Sequence, residues 1–568
     1  MTEKKLSKTE TIKENSAFLR GPIKKQLSEA ATHFDEEAIT LLKFHGTYQQ
    51  DDRDLRQKLQ LEGKEKAYSM MVRTKTPGGK VTWQQYLFLD QLADKYGNGT
   101  MRITTRQGIQ FHGILKSNLK ATMHELNQAL ITTLGACGDV VRNVCACPAP
   151  SKDRVQLEIQ EFAKKISDHL LPKSNAYHEI WIADKPVSNN QSETEPIYGK
   201  TYLPRKFKIV IAYPGDNCVD IYAHDIGLVA VSDKQGLKGF YVLVGGGFGM
   251  THRKPETHPI LAQPLGYVEK EKTIEVCEAI VKVQRDHGNR ENRAQARLKY
   301  LIEARGIDWF HGEVAKYTGY KLSPVPALDW SKTEDHLGWH ELTSDSLYFG
   351  LFVENGRIWD KGTLKLRSGI KKLVDAFKTE IRFTPQQNIL FVGIPKNRKS
   401  EFEAALRSYG ISNEKEISSI LRWSMACPAT PTCGLAIAES ERSLPSVIRS
   451  LEKELISLGL QDENITVRMT GCPNGCARPY SSEIGLVGSA SNAYALFLAG
   501  NFEGTRLNQM VHERVKTMDV VPVLRRFFEL FKAERNEGER FGDFCSRKGS
   551  VFLKEFTARA VSLQNSAV

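Results

Sequence analysis

Two cysteine pairs near the C-terminus are the residues of this chain best suited to chemistry. The first reads C-P-A-T-P-T-C and holds Cys427 and Cys433; the second reads C-P-N-G-C and holds Cys472 and Cys476. Four thiolates can hold one tetrahedral zinc ion or a cubane iron–sulfur cluster, in which each iron takes one protein sulfur. Zinc ribbons space their cysteines about two to four residues apart, and the five residues with two prolines between Cys427 and Cys433 fit that poorly. Gly471 and Gly475, with Pro473 and Asn474, let the backbone fold tightly around a cofactor. The residues therefore favour an iron–sulfur cluster and leave zinc open. Disulfides are disfavoured, since nothing marks the chain for export and cytosolic thiols stay reduced. The other six, Cys137, Cys145, Cys147, Cys218, Cys277 and Cys545, read as small buried apolar residues.

The elements that must position these thiols come from a duplication. Residues 102–114, R-I-T-T-R-Q-G-I-Q-F-H-G-I, align with 382–394, R-F-T-P-Q-Q-N-I-L-F-V-G-I, at an offset of 280 with seven identities in thirteen, where about one is expected by chance. The same offset carries A-C-P-A at 146–149 onto A-C-P-A at 426–429, and D-I-G-L-V at 225–229 resembles E-I-G-L-V at 483–487. The chain is a tandem repeat of one large unit. F-K-I-V-I-A from Phe207 and F-Y-V-L-V from Phe240 read as strands. Val155, Ile159, Phe162, Ile166 and Leu170 recur at helical spacing before Pro172. Mixed elements without strict alternation predict an α+β fold. Residues 188–195 and the Pro-spaced stretch from Lys321 read as excursions or linkers, and Gln49–Arg56 as a charged turn or helix start.

The two copies differ where chemistry would be placed. The second has the four cysteines, whereas the first shows only Cys147 at the matched place. Arg106 and His112 of the first become Gln386 and Val392 in the second. The first half is expected to supply cations and the second the metal. Lys206 and Lys208 alternate as in a strand and so share a face, which like charges tolerate only with an anion or solvent between them. Arg102, Arg106 and His112 lie in one strand-like segment, at even spacing on one face. The run G-G-G-F-G at 245–249 fails the dinucleotide pattern and reads as close backbone approach to a cofactor.

Composition narrows the class. The 568 residues are 40% hydrophobic and 26% charged, as in a globular protein. No apolar run reaches the roughly 20 residues of a membrane span. The N-terminus mixes acids and bases without an apolar core, so a cytoplasmic protein is expected. The net charge of +12 is spread along the chain among 67 acids, which argues against nucleic acid and for bound anions or an acidic partner.

The segments M-A-C-P-A-T-P-T-C-G-L-A-I-A-E-S-E-R and R-M-T-G-C-P-N-G-C-A-R-P-Y resemble the cluster signature of the assimilatory sulfite and nitrite reductase haemoproteins. The resemblance runs from F-H-G-T-Y-Q-Q-D-D-R-D at Phe44 to G-D-F near Asp543. It implies that Cys427, Cys433, Cys472 and Cys476 carry a 4Fe–4S cluster, with Cys476 also bridging to the iron of a sirohaem. It further implies that Arg73, Arg142, Lys206 and Lys208 bind sulfite and supply protons, and that Arg102, Arg106, His112 and Arg205 face sirohaem carboxylates. Tandem halves with pseudo-twofold symmetry are implied, in three domains around a central cofactor site. Residues 1–66 form an N-terminal arm, 67–135 with 343–416 a shared domain, 136–342 the first-repeat sirohaem and substrate domain, and 417–568 the second-repeat cluster and sirohaem domain. The implied activity is six-electron reduction of sulfite to sulfide, serving sulfate assimilation and cysteine biosynthesis. Nitrite reduction is the alternative within the family, although R-K-F-K ending in Lys208 resembles the sulfite enzymes, where nitrite enzymes carry Asn. A non-catalytic iron–sulfur or zinc protein is the alternative of another class. No flavin or dinucleotide fingerprint is present, so electrons come from a separate donor, an NADPH-dependent flavoprotein subunit or ferredoxin.

Overall fold

The computed structural model describes residues 6–150, 153–181 and 195–565; the polar run at 188–194 lies outside them. The chain forms two compact units. One takes Met1–Asp52, Leu59–Gly247 and Ala262–Ile411, the other Arg53–Lys58, Phe248–Leu261 and Ser412–Val568.

The first unit contains a pair of matching antiparallel sheets. In one, the strand order is Thr47–Asp51, Tyr68–Arg73, Ile109–Ile114, Met101–Ile103 and Arg357–Ile358; in the other it is Gly338–Glu341, Ser346–Leu351, Ile389–Pro395, Glu380–Phe383 and Lys80–Val81. The fifth strand of each is thus donated by the other copy: Arg357 pairs with Arg102, and Lys80 with Arg382. Two buried glutamines lock the exchange. Gln107 Nε2 donates to Phe383 O at 2.9 Å, and its counterpart Gln387 donates to Ile103 O at 3.3 Å. Gly79 and Gly356 make the approach possible, since a Cβ on either would stand 2.3 Å from the same two carbonyls.

Segment 102–114 is a hairpin and not the single strand its alternation suggests. Strands Met101–Ile103 and Ile109–Ile114 pair around a turn in which Gln107 takes a φ of +60°. Arg102 lies opposite Gln110, so Arg102 and His112 share a face, but Arg106 sits in the turn.

A third sheet of the first unit runs Gln263–Glu269, Gly236–Val244, Ile226–Asp233, Ile209–Ala212 and Cys145–Ala146. The second unit repeats it as Gln509–Lys516, Ala493–Leu498, Ile484–Ala490, Val467–Thr470 and Ser424–Ala426. In both, the last three strands are parallel and the others antiparallel. A parallel pair needs a crossover, supplied by Arg154–His169 in one and Leu444–Leu458 in the other. The first helix buries Val155, Ile159, Phe162 and Ile166, as its periodicity predicts. The second buries Leu444, Val447, Ile448, Leu451 and Leu455. The architecture is a duplicated α+β fold.

Candidate active site

In the second unit the four cysteines sit just beyond the ends of two neighbouring parallel strands. Cys427 follows Ser424–Ala426, while Cys472 and Cys476 follow Val467–Thr470. Cys427 and Cys472 are buried, Cys433 half-buried and Cys476 exposed. Each sheltered thiol feels the others. Burial, and after it the charge of Cys476, pushes Cys427 up to about 12 and Cys433 and Cys472 up to about 11. Such thiols keep their protons until a metal cation replaces them. The Gly471 N–H donates to Cys427 Sγ at 3.3 Å and Asn474 Nδ2 to Cys472 Sγ at 3.4 Å.

The loop between the first two cysteines is held from outside. Arg53 Nη1 donates to the carbonyls of Cys433 at 3.1 Å and Ala436 at 2.7 Å. The end of the glycine run lies against C-P-N-G-C, with the Met250 N–H donating to Pro473 O at 2.9 Å and a Cβ on Gly249 standing a tight 3.0 Å from Asn474 O. Four converging sulfurs with N–H donors on two of them fit a 4Fe–4S cluster. Among the described residues, the group of ligand atoms lying within 4.8 Å of one another, as around a single ion, is a different one.

The first unit gathers cations. Arg73 closes its strand and donates to Cys137 Sγ at 2.9 Å. Arg142 donates through Nε and Nη2 to Gly138 O at 3.2 Å. Arg106 donates from Nη2 to Asn143 O, while its Nε and Nη1 are buried without a partner. Burial pushes the Arg106 guanidinium down, and the charges of Arg142 and Arg73 press it the same way. Lys206 and Lys208 flank Phe207, whose backbone bridges in parallel to Val141. Both lysines are half-buried against the fully buried Phe207, so the shared face holds. Burial first, then Lys206, Arg297 and Arg106, push Lys208 well below its ordinary value. Arg205 is pushed down to about 10 by burial and Arg293. His112 shares an Nδ1 hydrogen bond with Gln50, and its buried Nε2 has no partner. Burial, with Arg357, Arg102 and Arg73, keeps His112 neutral. Buried guanidinium and imidazole nitrogens facing no protein acceptor fit the carboxylate rim of a sirohaem.

Sequence reasoning missed Arg297 and Asp225. Arg297 Nη2 donates to Asp225 Oδ2 at 2.7 Å, and the same oxygen accepts the Lys208 N–H at 2.9 Å. Arg297 lies outside any motif, and only its burial identifies it. Cys218 was missed as well. Sheet register maps Ile209 onto Val467, an offset of 258, which carries Cys218 onto Cys476. The first copy therefore keeps counterparts of two of the four cysteines, not of Cys427 alone.

Comparisons with known proteins identify the family. Residues 161–322 match the family model for the nitrite and sulphite reductase 4Fe-4S domain, and residues 62–129 and 340–409 each match the nitrite/sulfite reductase ferredoxin-like half domain. The two half-domain matches fall on the strand-exchanged sheets. A protein of Staphylococcus saprophyticus named sulfite reductase [NADPH] hemoprotein beta-component is 45% identical over 549 residues, 96% of each chain. One of Synechococcus elongatus named sulfite reductase [ferredoxin] is 45% identical over 572 residues, covering 97% of this chain and 91% of that one. The solved structure of the Mycobacterium tuberculosis NirA protein superposes with a TM-score of 0.80 at 25% identity, over 97% of this chain and 98% of that one. Among the described residues no helix is long and apolar enough to cross a membrane. On its matched domains and on relatives of nearly equal length, the chain belongs to the nitrite and sulphite reductase family.

Proposed function

We propose that the protein is an assimilatory sulfite reductase haemoprotein, reducing sulfite to sulfide with six electrons from a separate donor. Cys427, Cys433, Cys472 and Cys476 would hold the 4Fe–4S cluster, and the exposed Cys476 thiolate would be shared with sirohaem iron. Arg102, Arg106, His112 and Arg205 would hold the sirohaem carboxylates. When bound, the coupled cofactors supply electrons to a substrate that stays in place through successive reductions.

Lys208 carries the reading. It is pressed by three cations, and the carboxylate that opposes them, Asp225, is already paired with Arg297. A bound anion beside such a lysine would offset the crowding and favour its ammonium form. Sulfite, a dianion, supplies that charge and accepts the charge-assisted hydrogen bonds that Arg73, Arg142, Lys206 and Lys208 offer. As its oxygens leave as water they need protons. A lysine whose cationic neighbours weaken its hold on a proton gives one up readily, and the arginines, which stay charged, keep the anion in place. Relatives named for NADPH and for ferredoxin support a separate donor, and a net charge of +12 suits an acidic one.

The test is the absorption spectrum of the purified protein with iron and acid-labile sulfide counted, followed by kcat/KM for sulfite and nitrite with a reduced viologen as donor. Haem bands, iron in excess of the labile sulfide and a higher kcat/KM for sulfite are expected. A colourless zinc protein would overturn the reading, and a preference for nitrite would move the substrate.

A further inference from the structure

The first unit contains a second set of metal-ligating side chains that the reaction does not use. Cys147 Sγ, Cys218 Sγ, His336 Nε2 and a carboxylate oxygen of Asp216 are all buried and all lie within 4.8 Å of one another. Cys147 Sγ is 3.9 Å from His336 Nε2, which in turn is 3.9 Å from Asp216 Oδ2. A tetrahedral zinc ion with bonds of about 2.0 to 2.3 Å sets its ligand atoms about 3.3 to 3.8 Å apart, so small side-chain movements close the set. We propose that Cys147, Asp216, Cys218 and His336 form a mononuclear structural zinc site, separate from the four-cysteine site.

Three features of the surroundings suit a metal. Asp216 Oδ1 accepts from the N–H groups of Cys218 at 3.0 Å and Glu334 at 3.1 Å, which leaves Oδ2 turned toward His336. The ligands come from three segments that are already laced together. The Cys147 N–H donates to Ile211 O, its carbonyl accepts from Gln156 and Gln160, and the Asn217 N–H donates to Lys332 O. Finally, His336 holds a left-handed φ of +59°, and a Cβ on Gly350 would stand 1.9 Å from its carbonyl oxygen. A non-glycine residue kept there is strained, as at positions held for a task.

The duplication points the same way. Cys147 and Cys218 follow the strands that match those before Cys427 and Cys476, and Asp216 stands where the second copy has Asn474. The strand ends that carry the second copy's thiols thus present two thiols and a carboxylate in the first, and His336 joins them from the separate segment before Gly338–Glu341. Two soft and two harder donors at this compactness suit zinc. All four are closed off from solvent, as in a structural site and unlike a catalytic one.

The experiment is elemental analysis of the full-length protein purified under reducing conditions, with zinc K-edge X-ray absorption, which iron does not obscure. About one zinc per chain is expected, with two sulfur ligands near 2.3 Å and two nitrogen or oxygen ligands near 2.0 Å. In Cys218→Ser and in His336→Ala the zinc content should fall to about a tenth or less, with iron and labile sulfide unchanged. In Cys472→Ser the zinc should persist while iron falls. No zinc as isolated and none taken up on dialysis against zinc chloride would overturn the proposal. So would a four-sulfur zinc spectrum, which places the ion at the other cysteines, or a Cys147–Cys218 disulfide in the native protein. The absorption measurements need no variant, so a substitution that fails to fold leaves the test intact.

Discussion

Replacing Gln107 by leucine should damage the first unit more than the same change at Gln387, although duplication gives the two residues the same place in the fold. Both are fully buried. Gln107 Nε2 reaches the carbonyls of Gly78 at 3.1 Å, Ala146 at 2.9 Å and Phe383 at 2.9 Å, and its Oε1 accepts the Ala146 N–H at 2.9 Å. Leucine fills the volume but strands that N–H, at a cost of about 1 to 3 kcal/mol, and removes the donors from carbonyls that have no water to turn to. The total is about 3 to 4 kcal/mol. Gln387 makes longer bonds, to Ile103 O at 3.3 Å and Asn355 O at 3.2 Å, and its Oε1 has no partner. No backbone donor is orphaned there, so about 1 kcal/mol is expected. A difference of about 2 to 3 kcal/mol in a unit of this size lowers the melting temperature of Gln107→Leu by roughly 2 to 4 °C relative to Gln387→Leu. Circular dichroism melts of the two purified variants measure it. Activity should separate them too, because Ala146 lies between Asn143, which holds Arg106, and Cys147. Equal melting temperatures, or the reverse order, would refute the view that the two glutamines clamp the exchange unequally.

Lys208→Met removes a half-buried amine crowded by cations; kcat/KM for sulfite should fall about 10- to 100-fold, equivalent to about 1.4 to 2.8 kcal/mol, with the melting temperature unchanged or raised. Unchanged kinetics with a lowered melting temperature would assign it a structural role. Cys476→Ser alters an exposed thiol and should keep the fold but abolish magnetic coupling between haem and cluster in electron paramagnetic resonance, with activity below about one per cent. Retained coupling would remove Cys476 as the shared ligand. His45 is buried with its Nε2–H on Leu19 O, and burial lowers it from 6.5 to about 4. The folded state holds it neutral, so its contribution is present above pH 6.5 and is lost as the pH falls toward 4, up to about 3 kcal/mol. His45→Gln should flatten that part of the stability profile measured by urea denaturation, and an unchanged slope would place the acid sensitivity elsewhere.

The legible parts of the chain were those encoded locally. The four cysteines of the second unit sit in short turns after strands, so their spacing survives in one dimension, and the helix Arg154–His169 announces itself by period. The exchanged strands Lys80–Val81 and Arg357–Ile358 are two residues each, too short for any periodicity, and their partners lie in the other repeat. The hairpin at 102–114 was read as a strand because alternation continues through a turn whose left-handed residue is Gln107 and not a glycine. Arg297 and His336 carry no spacing signal, since each meets its neighbours through folding alone.

The kinship of Cys218 with Cys476 follows the offset of 258 that also relates D-I-G-L-V at 225–229 to E-I-G-L-V at 483–487; the offset changes from 280 at Ala146 to 258 at Ile209. The cause is the connection after each crossover helix, which is long between His169 and Ile209 and short between Leu458 and Val467. Once the sheets set the register, Lys206 and Lys208 fall opposite Asn464 and Thr466, and Asp216 opposite Asn474. The copies therefore diverged in charge at fixed points of one scaffold. Thiols stand beyond the parallel strand ends in both, where side chains from neighbouring strands converge without competing for ladder hydrogen bonds. A four-iron cluster requires a cage wider than one ion can span, and under the proposed assignment Cys433 and Cys472, which have no cysteine counterpart in the first copy, would widen it in the second. In the first, Asp216 and His336 would narrow the same place to the proposed single ion, which would leave the cations before Ile209 to hold anions.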